Sequence, residues 1–143
     1  MKALTVRQPW AGAIFAQADS KDVENRKTAW TYRGPLAIHA GQQLADRIAF
    51  TDVTLRLGRP PQIGSPKAPT EWALGAVIGL VDLVDIHPSR SCRCSCSPWA
   101  MPYHQHLRLE NPRVLRRPVP AYGRQGLWNP GDELRAEIER TLP

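Results

Sequence analysis

Lys21, Glu24 and Arg26 lie within seven residues, KDVENRK, at a spacing that can do chemistry. In an extended strand, alternate side chains share one face, about 6.6 Å apart in rise. Asp22, Glu24 and Arg26 then lie on one side, and Val23 and Asn25 on the other. Lys21, at the strand's start, can turn toward Glu24. A carboxylate held between two cations stays ionised, because nearby opposite charge favours the charged form. Such a cluster can meet a phosphate, a nucleobase edge or a polarised carbonyl. The same three side chains could also be a solvated ion-pair face, which contributes little to stability.

The residues that follow extend both readings. TAWTYRG is a loop rich in rings and cations, with Lys27, Trp30, Tyr32 and Arg33 in or beside it. His39 ends an apolar run, where a histidine is either a hydrogen-bonded core residue or part of a pocket. Cys92, Cys94 and Cys96 alternate in HPSRSCRCSCSPWAMP, residues 87–102. A structural zinc site asks for four ligands at looser spacing. Even with His87 as a fourth ligand, this stretch reads as an exposed, oxidisable loop, and no metal ligand is assigned. His104 and His106 share a face if Tyr103–Val119 is a strand, but no carboxylate accompanies them. Arg113, Arg116 and Arg117 form a basic patch.

The elements that must position these groups follow from periodicity and breakers. Residues 2–6 read as a strand. Gln8-Pro9 opens a helix, with Trp10 and Ile14 at helical spacing, that stops near Ala18. Strands are expected over about 22–26 and 34–40, the second held at its start by Gly34-Pro35. Residues 42–57 read as a helix with Leu44, Ile48 and Leu55 on its buried stripe and Gly58 at its end. Residues 58–70 are a Pro/Gly-rich surface loop. Ala73–Ile86 reads as one long strand that Gly75 or Gly79 lets bend, with Asp82 and Asp85 on opposite faces. A strand within Tyr103–Val119 and a short one near Trp128 follow. Asn129-Pro130 caps a last helix, about 130–141, with Leu134 and Ile138 inward. The sum is an α+β chain built on a small β-barrel with flanking helices.

The totals narrow the partners. The 143 residues fit a single domain, 1–143, and no apolar run is long enough to span a membrane. The N-terminus has no signal-like apolar stretch, so a cytoplasmic location without membrane partners is expected. The net charge is +6, carried by 15 Arg against 4 Lys. Arginine's flat fork suits phosphates and base edges, which favours RNA or a nucleotide as partner. Fourteen prolines argue against an all-helical fold.

Four blocks in order, LTVRQPWAGAIF, KDVENR, TYRGPLAIHAG and LENPRVLRRPVPAYGRQGLW, resemble the ASCH domain family over most of residues 3–128. That family has a PUA-like barrel related to RNA-binding domains. Its Gly-x-Lys-x-x-Glu-x-Arg pattern is met by Lys21, Glu24 and Arg26, with Asp19 where Gly is usual. The resemblance implies a cleft for single-stranded RNA with Trp30, Tyr32 and Arg33 on its rim. A base would stack on Trp30 or Tyr32, and Arg26, Lys27 and Arg33 would hold phosphates. Glu24 would accept from an exocyclic amine.

Some relatives are similar to ribonucleases. Here Lys21 would stabilise the phosphorane and Glu24 or His39 would move the proton, with a divalent metal as a possible cofactor. Others act as amidohydrolases on 4-acetylcytidine, for which Lys21 and an acid such as Glu71 would serve. Those enzymes carry Thr where this chain has Glu24. A regulatory domain that binds a nucleotide without chemistry is the third alternative.

Overall fold

A computed structural model describes residues 1–63 and 67–143. Residues 64–66, within the Pro/Gly-rich loop, lie outside the described residues. Six strands form one curled sheet in the order β2-β5-β4-β3-β1-β6. They are β1 (Lys2–Gln8), β2 (Val23–Arg26), β3 (Gly34–Leu44), β4 (Ala76–Pro88), β5 (Gln105–Pro120) and β6 (Leu127–Trp128). Only β1 and β3 run parallel; the other pairs are antiparallel. The helices are α1 (Trp10–Ala13), α2 (Arg47–Leu57), α3 (Ser89–Cys92) and α4 (Asp132–Thr141). Among the described residues no helix is long and apolar enough to cross a membrane.

Period-two alternation gives the sheet two apolar faces. Leu4, Val6, Leu36, Ile38 and Ile78 pack with Ile14 and Phe15 on one face. Ala3, Ala37, Val77, Leu115 and Val119 pack on the other with Ile138 of α4, and Leu134 beside them. The outermost strands of the sheet are β2 and β6. The curl brings β2 close to β1 just beyond the short β6: Arg26 Nη2 on β2 donates to the Thr5 carbonyl on β1 at 2.8 Å.

Several local expectations are corrected. The first helix is one turn and does not reach Ala18. Gly12 lies so close to Trp72 that an added Cβ would be 2.3 Å from the indole. Asp19, at φ 53°, then redirects the chain, and Lys21 N–H closes on the Ala13 carbonyl at 2.8 Å. The helix expected over 42–57 starts later. Residues 42–44 extend β3, because Leu44 pairs with Gln8. Asp46 then caps α2 by accepting from Ala49 N–H at 2.9 Å.

The buried residues of α2 are Ala49 and Val53, and Val53 packs with Trp99 and Ala13 of α1, while Leu44, Ile48 and Leu55 are exposed. Gly131, not Asn129-Pro130, caps α4. The β4 ladders with β3 and β5 both shift register beside Gly79, where a Cβ would be 2.4 Å from the Phe15 ring. Three register shifts against β5 follow along that pair. Asp82 and Asp85 serve separate partners, Asn111 and Arg113 for the first, His87 and Arg33 for the second.

Candidate functional site

Glu24 is the centre of the KDVENR cluster. Its Oε2 accepts from Lys21 Nζ at 2.7 Å and its Oε1 from Arg26 Nε at 2.9 Å. Lys21 is 4% exposed and also donates to the Val23 carbonyl. Burial raises the Glu24 pKa, but the Lys21 and Arg26 charges and hydrogen bonds outweigh it and hold it below its ordinary value. Asp22 leaves the cluster and accepts from the Ser97 hydroxyl. Asp19, in the place of the pattern's glycine, has the left-handed backbone that glycine adopts freely.

Glu24 and Arg26 open onto a cleft of about 850 Å³ between the β2 edge and the segment 121–126. Such a volume suits a small organic ligand. Arg7, Arg26, Lys27 and Arg124 supply cations to its lining, and Trp10, Trp30 and Tyr122 supply rings. The cleft reaches His39, whose Nε2–H donates to the Ala121 carbonyl at 2.8 Å. His39 Nδ1 is buried without a hydrogen-bond partner. Burial pushes the His39 pKa down, only partly opposed by the Ala121 bond, so the ring is neutral at pH 7. Gly123 makes room for this ring: a Cβ there would lie 2.7 Å from His39 Nδ1 and 2.6 Å from Thr5 Oγ1.

Not every residue singled out in the sequence reaches this cleft. Lys21 lies behind Glu24 and lines a separate small hollow of about 20 Å³. Tyr32 donates to the Pro35 carbonyl at 2.6 Å, and Arg33 bonds the carbonyls of Trp30 and Tyr32 and lies 3.9 Å from Asp85. Neither lines the cleft. Glu24, Arg26, Lys27, Trp30 and His39 do. Glu71 uses its backbone carbonyl to accept from Gln8 Nε2 at 2.8 Å. Tyr122, Gly123 and Arg124 lie in the last of the four blocks but were assigned no role from the sequence. They enter because β6 pairs with β1 at the sheet edge.

A second cluster forms where the sequence suggested an irregular loop. His87, Cys92, Cys96 and His106 place their donor atoms within 4.8 Å of one another, an arrangement that could hold a metal ion. His104 precedes β5 and donates from Nδ1 to the Pro102 carbonyl, so the expected His104–His106 pair does not form. Cys94 is not among the four.

No protein-family model matches the chain, and no curated protein matches it.

Proposed function

We propose that the protein binds single-stranded RNA or a nucleotide of it in the Glu24–Arg26 cleft, in the manner of an ASCH domain. The observation that carries this reading is one carboxylate, held ionised by two cations, at the base of a cleft lined by three rings and four basic side chains. A base would enter against Trp30. Its exocyclic amine would donate to Glu24, and its phosphates would meet Arg26, Lys27 and Arg124. Ring stacking is sequence-tolerant, while a carboxylate acceptor selects bases that carry an amine.

The test is a chemical-shift titration with cytidine, uridine and short oligonucleotides at several salt concentrations. Shifts confined to residues 24–30 and 121–126, and affinity that falls steeply with salt, would support the reading. Salt-insensitive shifts elsewhere would refute it.

His39 favours a second reading in the same cleft, a ribonuclease. A neutral imidazole would take the proton of a ribose hydroxyl; His39 Nδ1 is buried against Gly123, so the 121–126 segment would have to shift to admit that hydroxyl. Cleavage lost in His39→Gln with RNA binding retained would support it. The amidohydrolase reading lacks its lysine, and the ribonuclease reading lacks the lysine expected to stabilise the phosphorane, since Lys21 is held by Glu24 and the Val23 carbonyl.

A further inference from the structure

We propose that His87, Cys92, Cys96 and His106 form a closed tetrahedral Zn²⁺ site that fixes the segment behind the β2 edge of the cleft. The site does not depend on what the cleft binds.

The geometry comes from two strands and one turn. β4 and β5 pair His87 directly with His106, and the two rings meet edge to face with centroids 5.3 Å apart. α3 then brings Cys92 over them. Arg93 and Cys94 are both left-handed, at φ 50° and 59°, which turns the chain back so that Cys96 rejoins Cys92. The Cys92 and Cys96 sulfurs are 3.4 Å apart, and each lies 3.3–3.4 Å from His106 Nδ1. Zinc holds sulfur at about 2.3 Å and nitrogen at about 2.0–2.1 Å, so its tetrahedral ligands sit about 3.3–3.8 Å apart. Two thiolates with two imidazoles are a zinc donor set. Two adjacent left-handed residues that are not glycine are strained, a cost that a bound ion would offset.

The outer partners fix the ring orientations. His106 Nε2–H donates to the Met101 carbonyl at 2.7 Å, which leaves Nδ1 as a lone pair toward the sulfurs. His87 Nδ1–H donates to Asp85 at 2.7 Å, while its buried Nε2 has no hydrogen-bond partner of good geometry. A carboxylate–histidine pair of this kind orients a metal ligand and raises its basicity. Zinc takes both sulfurs as thiolates, so loading the ion displaces the thiol protons to solvent. With four protein ligands no position is left for substrate, so the ion is structural.

Its effect reaches the cleft through Asn25. This residue pairs with His106 across β2 and β5. Its side chain donates to the Trp99 carbonyl and accepts from Met101 N–H, each at 2.9 Å.

The test uses the full chain, purified reduced, stripped by chelation and reloaded with Zn²⁺ or Co²⁺ alone. One Zn²⁺ per chain should survive gel filtration. Co²⁺ should give intense tetrahedral visible bands and a thiolate-to-cobalt charge-transfer band. Cys94→Ser should keep both signals, Cys96→Ser should lose the stoichiometric ion, and Asp85→Asn should weaken affinity about 10- to 100-fold. If Cys96→Ser does not fold, the wild-type cobalt spectrum and the Asp85→Asn affinity decide. A pale octahedral cobalt spectrum without the thiolate band would overturn the proposal. So would equal loss of zinc in Cys94→Ser, or a reduced chain that takes up no Zn²⁺.

Discussion

Replacing Lys21 by Met tests whether the glutamate is buried with its cations as described. The substitution keeps the length of the side chain and removes its charge. Glu24, 8% exposed, would then keep only Arg26, whose side chain is 27% exposed. Removing one partner of a buried ion pair costs about 3–5 kcal/mol, because the remaining charge loses much of its compensation. Unfolding entropy near 2.1 cal/mol/K per residue gives this 143-residue chain about 0.3 kcal/mol/K. The expected fall in Tm for Lys21→Met is therefore about 10–17 °C by calorimetry at pH 7.

The double variant Lys21→Met/Glu24→Leu removes the remaining charge as well. It should melt above the single variant, since an apolar pair of similar volume restores packing without a desolvation cost. Lys21 does not line the cleft, so Lys21→Met that still folds should keep ligand affinity better than Arg26→Ala does. A single variant melting within about 3 °C of the parent would refute the burial argument. A double variant melting well below the single one would refute it as well.

Other outcomes follow from the same geometry. Trp30→Ala should weaken RNA or nucleotide binding by about 5- to 150-fold in Kd, equivalent to about 1–3 kcal/mol of lost stacking, as read by fluorescence titration. Gly123→Ala should displace His39 and narrow the cleft, so that binding weakens while the far-UV spectrum is unchanged.

The folded pKa values of Glu24 and His39 are both lowered from their ordinary values of 4.5 and 6.5. Each therefore contributes stability that is full above the unfolded value and lost as pH falls through the folded one. Urea melts should show a decline beginning below about pH 6.5 that His39→Gln removes. A second decline, beginning below about pH 4.5, should disappear in Glu24→Gln. Asp46→Ala should cost about 1 kcal/mol by removing the α2 cap, as read by a lower urea midpoint.

What the chain determines alone is local. Strand alternation around Lys21, Glu24 and Arg26 was legible because neighbours two apart on one strand share a face whatever the rest of the molecule does. The contact of Glu24 with Arg26, two residues on, follows from that spacing, whereas the one with Lys21, three residues back, does not. The apolar runs of β3 and β4 and the Leu134/Ile138 stripe of α4 were legible for the same reason.

Tertiary structure decided which side each group faces. Lys21 turned inward because the chain from Asp19 closes on Ala13, and Tyr32 and Arg33 were drawn to nearby carbonyls. The buried side of α2 is set by Val53 packing on Trp99 and Ala13, with Ala49 buried beside it, and Ile48 and Leu55 are left outside. The His87–His106 pair depends on a strand register shifted three times along β4 and β5, which no spacing within either strand encodes. The cleft wall at Gly123 and Arg124 exists only because the sheet curls until β2 comes close to β1 just beyond the short β6.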